Sequence, residues 1–225
     1  MMDLAPFYLT LKLAFFTTIV LFVLGIPLAY WLAFSRWRPK IIVEAIVGLP
    51  LVLPPTVMGF YLLLAFSPEN AFGRFLDNYL DIRLVFTFPG LVVASVIYSL
   101  PFMIQPLQSG FRMLPHVLTE ASYTLGKSRF ITLVHVLLPN IKGAILSGCI
   151  LTFAHTIGEF GVVLMIGGNI PNETRVVSVL IYNEVEAMNY EMANFYSLIL
   201  LIFSFLVLIT VYVFQYKRAD SSIFR

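Results

Sequence analysis

Two places in this 225-residue chain carry side chains able to do chemistry, and both lie among long apolar runs. In the stretch HTIGEF, His155 precedes Glu159 by four residues. On a helix that spacing puts them on one face, where a histidine and a glutamate could hold a metal. No second histidine stands nearby and no HExxH pattern occurs. A structural glutamate is therefore preferred, hydrogen-bonded to unwound backbone or paired with a base. An ionisable group in an apolar span is costly and marks a pathway or a buried pair. The second place is EASYTLGKSRFITLVHVLLP at 120–139, with Glu120, Lys127, Arg129 and His135. Cys149 is the only cysteine, which excludes a disulfide framework and a cysteine metal site. The chain has no P-loop, and no catalytic residue is assigned.

The elements that position these groups follow from composition. Hydrophobic residues make up 60% of the chain and charged ones 12%, half the roughly 25% of a soluble domain. The mean hydropathy is +0.92. At about 20 residues per span, the length holds five or six spans and no soluble catalytic domain. A formal charge of +2 gives no reason to expect nucleic acid. The expectation is an all-α integral membrane protein, one transmembrane domain over 1–225, with spans at about 9–34, 41–66, 84–107, 141–166 and 195–216. The run from Leu13 to Phe34 exceeds a signal-peptide core, and no A-x-A site follows, so it reads as a retained first span.

Lys and Arg set the orientation. Ten of them fall on one side: Arg36, Arg38, Lys40, Arg112, Lys127, Arg129, Lys142, Lys217, Arg218 and Arg225. Lys12, Arg74, Arg83 and Arg175 fall on the other, with most of the acids. The first connector, the hairpin at about 113–139 and the C-terminus are expected in the cytoplasm, and the N-terminus outside. No internal repeat is visible, so a homodimer with a pathway on its two-fold axis is expected.

Several spans are broken. Pro50, Pro54 and Pro55 lie in the second, and Pro101 and Pro106 in the third. Each proline frees a carbonyl, which is tolerated at membrane depth only beside protein or a wet cavity. Packed kinks and a pathway lining both remain open. In the fourth span, Gly143, Ser147, Gly148, Gly158 and Gly161 permit close helix approach, and the glycines around Glu159 permit unwinding.

The hairpin reads as two short helices. Pro115 suits a first turn, and Gly126 can take the left-handed conformation that ends the first helix. Ser128 can cap a second helix from Arg129, which Pro139 would close. Leu118, Tyr123, Leu125 and Phe130 are too many apolar residues for a free loop, and the charges too many for lipid. Docking to a soluble partner and lying in the headgroups both fit.

Here the residues meet a known pattern. Glu120-Ala121-Ser122, Gly126 six residues after the glutamate, and Val136-x-Leu138-Pro139 resemble the EAA loop of bacterial ABC importer permeases, with Ser122 for Ala and Val136 for Ile as departures. LPLVLPPTVMG at 49–59 and IGEFGVVLMIGGNIPNETRVVSVLIYNEV at 157–185 resemble the molybdate permeases, with sulfate permeases close by. The resemblance covers nearly the whole chain. It implies a type I importer permease of a bacterial or archaeal inner membrane, translocating molybdate by alternating access. The implied partners are a dimer of ABC ATPase subunits, an extracytoplasmic molybdate-binding protein and a second copy of the chain. ATP and Mg would bind the ATPase, leaving this chain with no cofactor and no hydrolysis. Coupling would rest on Glu120, Ala121, Ser122, Gly126, Leu138 and Pro139. Pathway candidates are Pro54, Pro55, Ser147, Thr152, Glu159 and Arg175: the hydroxyls suit transient contact with an oxyanion, and Arg175 could attract one. Arg175 stands among Glu173, Glu184, Glu186 and Glu191, so a local ion pair is preferred for it. Alternatives are a sulfate or tungstate permease of the same group, and an ion-gradient-driven transporter in which Glu159 titrates. A receptor whose hairpin docks a signalling partner would carry no flux.

Overall fold

The computed structural model describes residues 4–223, with side chains through Val213 apart from Val211. Lys217, Arg218 and Arg225, counted above for orientation, lie outside the side chains so described. Twelve α-helical segments follow one another: α1 (Ala5–Phe34), α2 (Lys40–Gly48), α3 (Pro55–Phe66), α4 (Ala71–Leu80), α5 (Phe88–Arg112), α6 (His116–Thr124), α7 (Arg129–Thr132), α8 (Leu138–Asn140), α9 (Lys142–Ile157), α10 (Gly161–Gly167), α11 (Val177–Glu186) and α12 (Tyr190–Ile223). Among the described residues there is no strand. Among the described residues three helices are long and apolar enough to cross a bilayer, Ala5–Phe34, Phe88–Arg112 and Tyr190–Thr210, and two bent pairs bring the number to at most five.

Two of the expected spans are interrupted. The second apolar segment is α2 with a 3₁₀ turn at Leu49–Leu51, then α3, bent by 113°. Pro54 and Pro55 sit at the start of α3 rather than inside a helix. A proline there forfeits no intrahelical bond, because the first-turn N–H groups have no partner anyway. The fourth segment runs as α9, stops at Ile157, and resumes as α10 after Gly158–Phe160. At 1.5 Å per residue α9 covers only about 24 Å. Pro27, Pro101 and Pro106, by contrast, remain within continuous helices.

Local chemistry fixes the ends. Thr87 caps α5, its Oγ1 accepting from the Gly90 N–H. The Lys40 ammonium donates to the carbonyls of Leu32 and Ser35, at 3.2 and 2.8 Å, satisfying orphan acceptors at the end of α1. The helix α5 lies between α1 and α9, and Met103, fully buried, fits against Gly25 of α1 and Gly148 of α9. Lipid tails are as apolar as leucine, so close packing rather than escape from water holds these helices together. One buried cluster gathers Leu13, Leu91, Val162, Ile166 and Val176. A second, toward the hairpin, gathers Leu32, Ile104, Leu107, Phe111 and Leu137.

Candidate functional site

The hairpin forms as its local signals require. The helix α6 ends with Gly126 at φ +72°, and two bonds close the turn: Gly126 N–H to the Tyr123 carbonyl at 2.9 Å and Lys127 N–H to the Ser122 carbonyl at 3.1 Å. That pair is the Schellman closure, which needs a left-handed residue between. Ser128 caps α7, accepting from the Ile131 N–H at 3.3 Å. Pro139 does not close the second helix. A π-turn at Leu133–Leu137 carries the chain into α8, which includes Pro139 and ends at Asn140. A π-turn spreads the carbonyls that a proline cannot serve, and such turns mark functional segments often.

Ser122 is buried, and its hydroxyl meets Thr132 Oγ1 at 2.8 Å. Because Thr132 donates to the Ser128 carbonyl, Ser122 is the donor. The departure from alanine thus stitches α6 to α7. Glu120 and Ala121 are exposed, as is Pro139, and Leu138 is half-buried. Among the described residues Glu120 forms no salt bridge. Beside it, Leu118, Ala121, Leu125, Ile131 and Val136 line a mainly apolar cavity of about 570 Å³. Val117, Leu125 and Phe130 are 66%, 77% and 73% exposed, an uncovered apolar surface.

At the opposite end the two helix breaks meet. An added Cβ on Gly161, first residue of α10, would stand 2.8 Å from Pro55 Cβ and 3.2 Å from the Thr56 nitrogen. One turn on, Gly59 faces Val162 and Met165 just as closely. Pro55 is therefore the packed start of a half-helix, seated on the half-helix of the fourth span. Pro54 and Pro55 remain otherwise exposed.

Between α5 and α9 runs a buried polar seam. His155 Nδ1 lies 3.0 Å from Ser99 Oγ, Ser99 lies 3.2 Å from Thr156 Oγ1, and Thr156 donates to the Thr152 carbonyl at 2.9 Å. With Thr156 committed, the consistent order is His155 N–H to Ser99, and Ser99 to Thr156. The His155 ring stacks on Phe102 with centroids 3.9 Å apart. Glu159 sits in the break beyond α9, 4% exposed, with both carboxyl oxygens unpartnered. Ser95 lies beside that carboxyl without closing a well-formed bond, and its Oγ is an orphan too, as are Thr17 Oγ1 and Thr152 Oγ1. Among the described residues no hydrogen bond joins His155 to Glu159, and no three His, Cys, Asp or Glu converge on a metal position.

Arg175 departs from its expected ion pair. It donates to Asn169 Oδ1 at 2.6 Å and to no glutamate. The surrounding loop is organised by Thr174, fully buried, which donates to the Gly167 carbonyl at 2.6 Å and accepts from the Ile170 N–H at 3.1 Å. That is a physical reason for threonine in GNIPNET. Ser147 is half-buried on α9, and Thr152 lies wholly between helices.

Sequence reasoning passed over Ser95, Ser99 and Thr17, although Ser95/Ser99 and Thr152/Thr156 repeat at four residues and so form polar stripes on their helices. It also passed over Glu44 of α2, which accepts from Gln108 at 2.6 Å and Arg112 at 2.5 Å, both on α5. A lone acid in an apolar run was the available signal.

This architecture is one that known proteins share. The chain belongs to the family described as binding-protein-dependent transport system inner membrane component, whose model matches residues 25–225. It is 50% identical over 211 residues to the molybdenum transport system permease protein ModB of Azotobacter vinelandii, covering 93% of each chain. It is 32% identical over 211 residues to the sulfate transport system permease protein CysT of Salmonella typhimurium, covering 94% of this chain and 76% of that one. Among solved structures, a bacterial ABC transporter that imports alginate matches with TM-score 0.78 at 15% identity, over 95% of this chain and 79% of the other. The MetNI methionine ABC transporter matches with TM-score 0.70 at 18% identity, over 92% and 91%. The fold is that of a type I ABC importer permease, and the chain is a transport subunit rather than an enzyme.

Proposed function

We propose that this chain is the membrane-spanning subunit of an ATP-driven molybdate importer and works as a homodimer. The observation that carries the reading is the 50% identity to the molybdenum permease across 93% of both chains. The lower identity to the sulfate permease, 32%, ranks sulfate second. A binding protein delivers the anion to the outer face, and two ATPase subunits grip the hairpins from the cytoplasm. The distribution of Lys and Arg supports that orientation, with the N-terminus outside.

The geometry offers a route for the stroke. Closure of the ATPases moves α6 and α7 together, because Ser122 and Thr132 join them. The motion passes through the π-turn and α8 into α9, across a 78° bend. The helix α9 packs on α5 and ends at the Glu159 break, where α10 and α3 are locked by Gly161, Gly59 and Pro55. Rigid pieces joined at defined breaks suit a two-state rocking motion. Glu120, Ala121, Ser122, Gly126, Leu138 and Pro139 serve coupling. Pro54, Pro55, Ser147, Thr152, Glu159 and Arg175 serve the gate and the outer mouth.

The test is uptake of labelled molybdate by the permease reconstituted with its ATPase and binding protein, with sulfate as competitor. ATP-dependent molybdate uptake that sulfate barely inhibits is expected, and Glu120→Ala or Gly126→Ala should insert normally but uncouple uptake from hydrolysis. Uptake that continues without nucleotide, or sulfate carried as well as molybdate, overturns the reading.

A further inference from the structure

The end of α1 and the hairpin enclose a cleft of about 640 Å³ that no step above uses. Tyr30, Trp31 and Arg36 form one wall, and His116, Thr119 and Tyr123 form the other, with Arg129 at the start of α7. The α6 residues are spaced i, i+3, i+7 and so share a helix face. The apolar cavity on the hairpin is lined instead by Leu118, Ala121 and Leu125. The cleft is thus the side of the hairpin turned toward the first span. Tyr30 and Tyr123 face each other across it, with Arg129 on the same lining. No acid lines it, and among the described residues neither Arg36 nor Arg129 is in a salt bridge. Two guanidinium groups, an imidazole and several hydroxyls make a donor set for a phosphate-type oxyanion.

Position decides where that anion comes from. Trp31 and Trp37 pair at the cleft with ring centroids 6.0 Å apart, and both are exposed. Exposed tryptophans at a span end sit at headgroup level. From Trp31 the surface of α1 continues through exposed Ile19, Val23 and Leu24, a face for acyl chains. We infer that the cleft holds the phosphate of an anionic phospholipid headgroup, clamped between Arg36, just beyond the end of the first span, and Arg129 of the hairpin. A lipid seated there fixes the hairpin against α1, so transport depends on the anionic lipid content of the membrane. That consequence rests on the proposed coupling role of the hairpin; the binding itself does not.

Trp31 lines the cleft and Trp37, the only other tryptophan of the chain, packs against it, so intrinsic fluorescence of the full chain in zwitterionic detergent reports on the cleft. The chain is titrated with short-chain phosphatidylglycerol, short-chain phosphatidylcholine, inorganic phosphate and molybdate. A saturable emission change with phosphatidylglycerol alone is expected. Arg36→Gln with Arg129→Gln should weaken it on the order of tenfold, while Arg36→Lys with Arg129→Lys and the neighbouring Arg38→Gln should retain it. Equal responses to the two phospholipids, or no loss in the double glutamine variant, overturn the inference. Inorganic phosphate or molybdate binding as tightly as phosphatidylglycerol would make this a free-oxyanion site and also overturn it. So would displacement of phosphatidylglycerol by the added ATPase, which would make the cleft a protein contact. Because no transport is measured, a failure here is separable from a failure of molybdate uptake.

Discussion

Replacing Glu159 by leucine should make this protein more stable and less able to work. The carboxyl is 4% exposed, and neither oxygen has a partner. A buried polar group without a partner costs about 1–3 kcal/mol, and leucine of similar size removes that cost. For a chain of this length each kcal/mol moves the unfolding midpoint by roughly 2–4 °C. Glu159→Leu should therefore raise the midpoint of the detergent-solubilised chain by several degrees. Glu159 occupies the break between α9 and α10, and under the proposed rocking motion its carboxyl would find partners in another state of the cycle. ATP-driven uptake by the variant should fall tenfold or more. Glu159→Gln, which offers a donor and an acceptor without a charge, divides the possibilities: recovery of uptake assigns the role to hydrogen bonding, continued loss to charge. A lower midpoint for the leucine variant would show that the carboxyl is well partnered at rest and refute the reasoning. Full uptake by a stabilised variant would refute the functional half.

Gly161→Ala drives a methyl into Pro55 and the Thr56 backbone, so it should cost about 1–3 kcal/mol by overpacking, read as a lower unfolding midpoint. Thr174→Val removes a donor to Gly167 and an acceptor for Ile170; the stranded buried Gly167 carbonyl should cost about 1–3 kcal/mol, and amide-exchange protection across 167–176 should loosen. Arg175→Gln should raise the apparent KM for the loaded binding protein and leave maximal uptake unchanged, since Arg175 is held by Asn169 with no acid partner. An unchanged KM removes Arg175 from the outer mouth.

Much of this protein could be read from residue order alone, because the signals are local. Apolar runs against a bilayer thickness place the long helices α1, α5 and α12. The positive φ of Gly126 and the cap at Ser128 depend only on neighbours within a few residues, and so does the spacing that marks the hairpin. What the linear pattern leaves open is which faces meet. Nothing in LPLVLPPTVMG says that Pro55 rests on Gly161, a hundred residues away, or that the second span bends by 113° there. Nor does it join Ser99 to His155, or Glu44 to Arg112. Proximity of charges along the chain pointed Arg175 at a glutamate, whereas the loop built around Thr174 turns it to Asn169. Hydropathy and capping are properties of a segment, but the partners of a buried polar group follow from the register between helices, which only the packed molecule decides.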